Sequence, residues 1–286
     1  MFARLFHFFL DSLSVPRAWK SSIIIPIPKK PNVKQMNDFR PVASTSILTK
    51  CMERIVCNQL VASVADRMDP LQFAYKARRG VEDACLIPVN LTASYLGKSG
   101  SYVRVMFMDF SLAFNKFQPH LLIKRLLDLG ANHTLVLWIK QFLCDRPQRV
   151  SLNGIRSDEL IVNTGAPQGC VLSTILFSVY TNEVVFTNAL LTLVKLADDM
   201  ALVARLQDEN SLGEYFLQLD RLNSWFKESF LDLNISKTKE LVFNSRKEKD
   251  PFTPVTTDQQ PLEVVSGFKY LRTVVDSTQN SVLMIT

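Results

Sequence analysis

The chain has 286 residues, 47% of them hydrophobic and 21% charged, which excludes a disordered segment and leaves room for one large domain or two coupled ones. Its net charge of +6 suits nucleic acid without requiring it. The five cysteines are odd in number and never spaced C-x-x-C, against a zinc site or disulfide framework and for a reducing compartment. No uninterrupted apolar run reaches the roughly 18–20 residues of a membrane span, so a soluble chain is expected.

The opening MFARLFHFFLDSL is interrupted by Arg4, His7 and Asp11, which predicts an amphipathic helix and not a signal peptide. Residues 21–28, SSIIIPIP, are β-branched and closed by prolines, so they predict an edge strand. From Ser46 to about Ala65 the residues Ile47, Cys51, Ile55 and Val64 recur at helical spacing. Residues 104–110, RVMFMDF, read as a buried strand ending in an acid. A helix from Pro119 to Leu129 starts on proline with Gly130 just past its end, and another covers Thr134 to Leu143. Asn153-Gly154 between strand-like runs predicts a hairpin. After TGAPQGC a helix is expected from Val171 to about Val184. Ser211 to Phe230 forms the clearest helix, with Ser211 and Glu214 as a capping box and Leu212, Phe216, Leu219, Leu222, Phe226 and Phe230 as its buried stripe. The charged, proline-rich 246–261 reads as a linker or long loop, and LEVVSGFKYLRTVV as a terminal hairpin.

One stretch demands a chemical reason. Residues 194–203, VKLADDMALV, set Asp198 and Asp199 side by side in apolar surroundings, with the shape of strand, tight turn and strand. Aspartate is welcome at any hairpin tip, and Asp109 at a strand end suits a helix N-cap. If the two strands are neighbours in one sheet, however, three carboxylates meet at one edge. They would raise one another's pKa values unless a cation neutralised them. All-oxygen ligation suits magnesium, and two such ions about 3.5–4 Å apart serve in-line phosphoryl transfer.

FMDFSLAF, NTGAPQGCVLS, KLADDMALV and LDLNISKTKELVF resemble successive catalytic-core motifs of reverse transcriptases, and most closely those of non-long-terminal-repeat (LINE-type) retrotransposons. Upstream, the segments 23–55 and 68–80 (MDPLQFAYKARRG) resemble the fingers motifs of the same family. The resemblance runs in order over roughly residues 20–275. It implies an α/β (α+β) right-hand polymerase fold with an antiparallel palm sheet, the thumb largely missing. The domains would be an N-terminal helical segment at 1–19, fingers at 20–100, palm at 101–245, and a linker with a truncated primer-grip region at 246–286.

The implied activity is RNA-directed DNA polymerisation, with RNA template, DNA primer and deoxynucleoside triphosphates as partners, no membrane, and a separate endonuclease domain. Asp109, Asp198 and Asp199, with the carbonyl of Phe110, would hold two Mg2+ ions, for which Mn2+ can stand in. Phe114 would lie under the incoming sugar, disfavouring a 2′-hydroxyl; core packing is the alternative. Gln168 and Gly169 would meet the nucleotide or template, and Lys29 and Arg40 the triphosphate or template strand. Gln72, Arg78 and Arg79 would hold template, and Lys237, preferred over Lys239, would protonate the pyrophosphate leaving group. The chain departs from the family pattern at Leu196 and Met200 beside the acids, at Thr174, and at Arg272, where the primer-gripping segment usually has glycine. A catalytically silent, retrotransposon-derived nucleic-acid-binding remnant is the alternative. Nuclear residence follows from the resemblance alone.

Overall fold

Interleaved stretches of the chain build two units, Met1–Met68 with Leu112–Tyr180 and Asp69–Ser111 with Thr181–Thr286. The computed structural model describes residues 2–74, 76, 78–186, 189–244, 246, 252–257, 260–277 and 283–285.

The first unit opens with α1 (Phe2–Asp11) and α2 (Arg17–Lys20), whose Trp19 is met edge-on by the rings of Phe6 and Phe9 at 6.0 and 4.8 Å. Next come β1 (Ser22–Pro28) and β2 (Phe39–Ser44), an antiparallel pair. β1 was expected at an edge, yet it lies between β2 and β4 (Arg146–Leu152). Its pairing with β4 covers only Ser22 to Ile24, so Pro26 and Pro28 fall where the second ladder has ended. There their missing N–H groups cost nothing. Asn153 and Gly154 both take positive φ and close β4 onto β5 (Ile155–Arg156), as the hairpin signal requires, while β6 (Leu160–Val162) pairs β4 on its other stretch.

The helix α3 (Ile47–Val64) starts where Ser46 accepts a hydrogen bond from the Thr49 amide at 3.1 Å. Its buried face is Met52, Val56, Leu60 and Val64, and Ile47 is 80% exposed, so the expected stripe is rotated. Apolar residues occupy adjacent positions here, and periodicity cannot choose between two overlapping stripes. After the short α5 (Ala113–Lys116) come α6 (Pro119–Asp128) and α7 (His133–Leu143). They meet the expected bounds within a residue, Asn132 capping α7 through the Thr134 amide at 2.9 Å. The helix expected over 171–184 is confined to α8 (Ser173–Tyr180). Beyond it the Thr181 and Val184 carbonyls accept hydrogen bonds from Lys195 Nζ instead of continuing the helix.

The second unit is centred on β3 (Tyr102–Met108), buried along its whole length. It pairs antiparallel with β8 (Asp199–Leu206) on one side and β9 (Lys239–Asn244) on the other, with β7 (Leu191–Leu196) beyond β8 and β12 (Glu263–Val264) beyond β9. On one face Val103, Val105 and Phe107 pack with Ala201, Val203, Leu241 and Phe243, and Cys85 of α4 (Val81–Leu96) joins them. On the other, the Arg104 guanidinium lies 5.4 Å from the ring of Tyr215 in α9 (Glu209–Glu228).

α9 corrects two expectations. Asp208, not Ser211, is its N-cap, and Ser211 answers back to the Asp208 amide at 3.1 Å. Beyond Ser211 its buried residues are Tyr215, Leu219, Leu222 and Phe226, while Phe230 is 51% exposed. Tyr215 is drawn in by a hydrogen bond to buried Glu240, a partner invisible to periodicity.

Of the expected 246–261 linker, 247–251, 258 and 259 lie outside the described residues. The remainder is docked: Val255 is buried, and the paired two-residue strands β10 (Thr256–Thr257) and β11 (Gln260–Pro261) follow. The terminal hairpin joins β13 (Gly267–Tyr270) to β14 (Thr273–Asp276), which also pairs β15 (Leu283–Ile285). Its turn residues Leu271 and Arg272 both have positive φ, 47° and 73°. A glycine suits the second position of such a turn far better than arginine. Arg272→Gly is therefore expected to raise stability by about 1 kcal/mol, read as a higher urea midpoint at unchanged slope.

Candidate active site

The sheet of the second unit sets the acids. The β3–β8 ladder ends at Met108 opposite Met200, so one further step of register places Asp109 across from Asp199. β7 and β8 close at Leu196 opposite Asp199, leaving Ala197 and Asp198 as a two-residue turn. Ala197 has φ of 55°, a left-handed conformation that costs a non-glycine residue about 1–2 kcal/mol. The neighbouring strands on which the convergence of the carboxylates depended are thus present.

Burial, then the Asp198 and Asp109 carboxylates, push the Asp199 carboxyl up to about 6, with Lys237 opposing. Lys237 Nζ lies 3.2 Å from Asp109 Oδ2, an ion pair without hydrogen-bond geometry: that oxygen is buried and has no hydrogen-bond partner among the described residues. The Asp109 main chain is fixed by the Asn234 amide, which donates to its carbonyl at 2.8 Å. Phe110 forms an isolated bridge with Leu233, and its ring meets Phe226 edge-on at 4.9 Å. Asp109, Asp199 and Lys237 line a cavity of about 380 Å³ with Phe268, Lys269 and Tyr270. Burial, and Asp199 nearby, push the Tyr270 hydroxyl up. Lys239, by contrast, is held by Glu263 and the Ser236 carbonyl, both at 2.6 Å.

These residues fit a hard cation by donor chemistry. The set is all oxygen, one buried carboxylate oxygen lacks a donor, and a neighbouring carboxyl is raised by repulsion that a cation would relieve. Among the described residues no three His, Cys, Asp or Glu side chains gather closely enough to hold an ion as they stand.

In the first unit the GAPQG loop is bound to the segment that carries Phe114. The Ala166 amide donates to the Phe114 carbonyl at 2.8 Å. Gly165 has φ of 57°, and a Cβ there would fall 2.2 Å from that same carbonyl oxygen, so only glycine fits. The half-buried Phe114 ring packs 5.1 Å from Phe177. Gln168 is half-buried and accepts from the Ala43 amide at 2.8 Å through its carbonyl, and Gly169 is exposed. Glu53, wholly buried in α3, accepts from the Leu172 amide at 3.1 Å and braces the same loop; burial raises its pKa. Lys29 and Arg40 are exposed at the end of the β1–β2 ladder, where Arg40 faces Ile27 and the Lys29 amide donates to Asp38 at 2.8 Å.

Of the three residues expected on template, Arg78 is exposed with φ of 61°. Arg79 is exposed too, but its guanidinium stacks 5.1 Å over Phe73 and donates to the Pro70 carbonyl at 2.8 Å. Gln72 is 0% exposed, and its side chain accepts a hydrogen bond from the Ala197 amide of the acid-bearing turn. Sequence reasoning also passed over Lys195 and Asp69, a buried ion pair at 2.7 Å. The signal was there, a lysine inside the apolar run LVKLA, which demands a buried partner.

This fold is the right-hand polymerase architecture. The chain is similar to an apo telomerase of Candida tropicalis truncated from its C-terminal domain (TM-score 0.62, 12% identity, covering 95% of this chain and 56% of that one). A telomerase of Candida albicans, in complex with a fragment of telomeric RNA, gives 0.60 over 99% of this chain and 49% of that one, at 12% identity. Residues 27–273 match the family described as reverse transcriptase (RNA-dependent DNA polymerase), and the chain belongs to it. Its relatives include the RNA-directed DNA polymerase from mobile element jockey of Drosophila melanogaster, 28% identical over 96% of this chain and 31% of the relative. The probable RNA-directed DNA polymerase from transposon BS of the same fly is 28% identical over 91% and 30%. The chain thus spans under a third of the length of these relatives. Among the described residues no helix is long and apolar enough to cross a membrane.

Proposed function

We propose that this chain carries the polymerising activity of an RNA-directed DNA polymerase, extending a DNA primer 3′-hydroxyl on an RNA template with deoxynucleoside triphosphates. The observation that supports it most is the register that sets Asp109 opposite Asp199, beside Asp198 at the turn, in a chain of the reverse transcriptase family. Asp109, Asp198, Asp199 and the Phe110 carbonyl are the groups that would hold Mg2+, two ions in the full set, or Mn2+ in its place. Bound there, the ions would supply activation of the attacking hydroxyl and stabilisation of the leaving oxygen.

The chain's own residues do the rest. Lys237, 61% exposed and ion-paired to Asp109, donates a proton or a charge-assisted hydrogen bond to the pyrophosphate leaving group. Phe114 sits under the sugar and excludes a 2′-hydroxyl, Gln168 and Gly169 receive the nucleotide, and Lys29 and Arg40 meet its triphosphate. Arg78 and Arg79 hold template phosphate bidentately. The fingers would lie at 20–100 and the palm at 101–245, and the endonuclease and nuclear residence of a retrotransposon protein belong to the same reading.

Primer extension on an RNA template with labelled deoxynucleotides and Mg2+ tests this directly, with Asp198→Asn/Asp199→Asn beside the wild type. Incorporation by the wild type, lost in the double variant, is the expected result. A folded wild type that binds RNA with steep salt dependence but incorporates nothing would make the chain a silent nucleic-acid-binding remnant.

A further inference from the structure

We infer that Gln72 is a positioning residue for the two acids of the Ala197-Asp198 turn, acting through the main chain of that turn and not on the template. This rests on the polymerase reading for its functional consequence, but its geometry is independent of it.

The turn needs an external hold. Ala197 occupies a left-handed conformation at the first turn position, where glycine is the natural residue, and the carboxylates that follow repel one another. Gln72 supplies that hold. Its Oε1 accepts hydrogen bonds from the Ala197 amide at 3.2 Å and the Ala74 amide at 3.0 Å. Two main-chain donors on one atom fix which end of the amide is oxygen. The side chain is entirely buried, and Nε2 has no acceptor among the described residues. A template-reading glutamine would need an accessible amide, and this one has none.

The segment bearing Gln72 is itself anchored to the strand that leads into the turn. Residues 71–73 add to the free edge of β7: the Lys195 amide donates to the Leu71 carbonyl at 2.9 Å, and the Phe73 amide to the Lys195 carbonyl at 2.8 Å, around a parallel bridge of Gln72 with Lys195. Asp69 starts the segment, its Oδ1 accepting from the Leu71 amide at 2.9 Å and its Oδ2 pairing with Lys195 Nζ at 2.7 Å. Lys195 Nζ spends its remaining hydrogens on the Thr181 and Val184 carbonyls, at 2.9 and 2.8 Å. Every charge in this lock is paired. The edge of β7 is covered along its last residues, and the turn is held from outside its own hairpin.

Gln72→Met keeps the volume and removes the acceptor; Gln72→Glu keeps the acceptor. Hydrogen exchange is followed over 194–200 in the protein without nucleic acid, together with RNA affinity and kcat at saturating template. In Gln72→Met, exchange at the turn should rise about tenfold or more while β3 and β9 stay protected. RNA affinity should stay within about twofold and kcat fall roughly ten- to a hundredfold, the scale of a small misplacement of reacting groups. Gln72→Glu should restore slow exchange at about pH 5, where its buried carboxyl stays protonated and its carbonyl oxygen accepts the same two amides. Unchanged exchange at the turn with weakened RNA binding in Gln72→Met would overturn the inference and return Gln72 to the template. Should Gln72→Met fail to fold, Gln72→Asn, an amide too short to reach, takes its place with the same two outcomes. A wild type that incorporates nothing removes the polymerase reading, and the exchange result still decides the role of Gln72.

Discussion

Asp199→Asn is expected to reduce primer extension by roughly a thousandfold and, at neutral pH, to make the metal-free protein more stable than the wild type. Both effects come from one arrangement. Burial and the Asp198 and Asp109 carboxylates raise the Asp199 carboxyl to about 6. Between roughly pH 4 and 6 the folded chain therefore keeps a proton that the unfolded chain has released. Stability from this group falls as pH rises through that window, and above it the folded state bears the full repulsion. Asparagine never ionises, so the variant lacks this loss. Urea midpoints of the two proteins should converge near pH 4 and separate by pH 7.5, the variant higher. Added Mg2+ should raise the wild-type midpoint more than the variant's, because binding only the folded state stabilises it. Equal midpoints at pH 7.5 would mean that neither burial nor the neighbouring carboxylates raise this group.

Arg104→Met is expected to destabilise the protein by about 3–5 kcal/mol, the cost of stranding a buried carboxylate. Arg104 and Glu240 are both 0% exposed and paired at 2.7 Å. Glu240 also accepts from the Tyr215 hydroxyl at 2.9 Å, and Arg104 donates to the Thr253 carbonyl at 2.8 Å. Yet Arg104 Nε and Nη1 are buried with no hydrogen-bond partner among the described residues, so the pair is incompletely satisfied. The double variant Arg104→Met/Glu240→Leu should therefore recover most of the loss. Equilibrium urea unfolding of the three variants measures this. A double variant no better than the single one would show that Tyr215 and Thr253 depend on the charges themselves. The pair lies on β3 and β9, the strands flanking the approach to Asp109, so thermal loss of this network would loosen the acid site as well.

Much of the site was legible without coordinates. The apolar run ending in Asp109, the strand–turn–strand around Asp198 and Asp199, and the Asn153-Gly154 hairpin are local patterns, each imposed by backbone geometry or by the cost of burying charge. Two lysines close together in NISKTKE look alike in the sequence, and the structure separates them: Lys237 pairs with Asp109, Lys239 with Glu263. Other features had no local signature. α3 and α9 each carry apolar residues at adjacent positions, so only their partners decide which stripe turns inward. β1 reads as an edge from its prolines, and its second neighbour is a strand more than a hundred residues away.

By itself, then, the sequence determined the family, the adjacent acids Asp198 and Asp199 and the turns at 197–198 and 153–154, because these depend on a few residues close along the chain. Only the tertiary structure decided that Asp109 faces Asp199, that Lys195 finds Asp69, and that Gln72 lies buried beneath the turn. Each of these joins segments widely separated in sequence, and such pairings follow from how sheet and helices share one core, which no local pattern encodes.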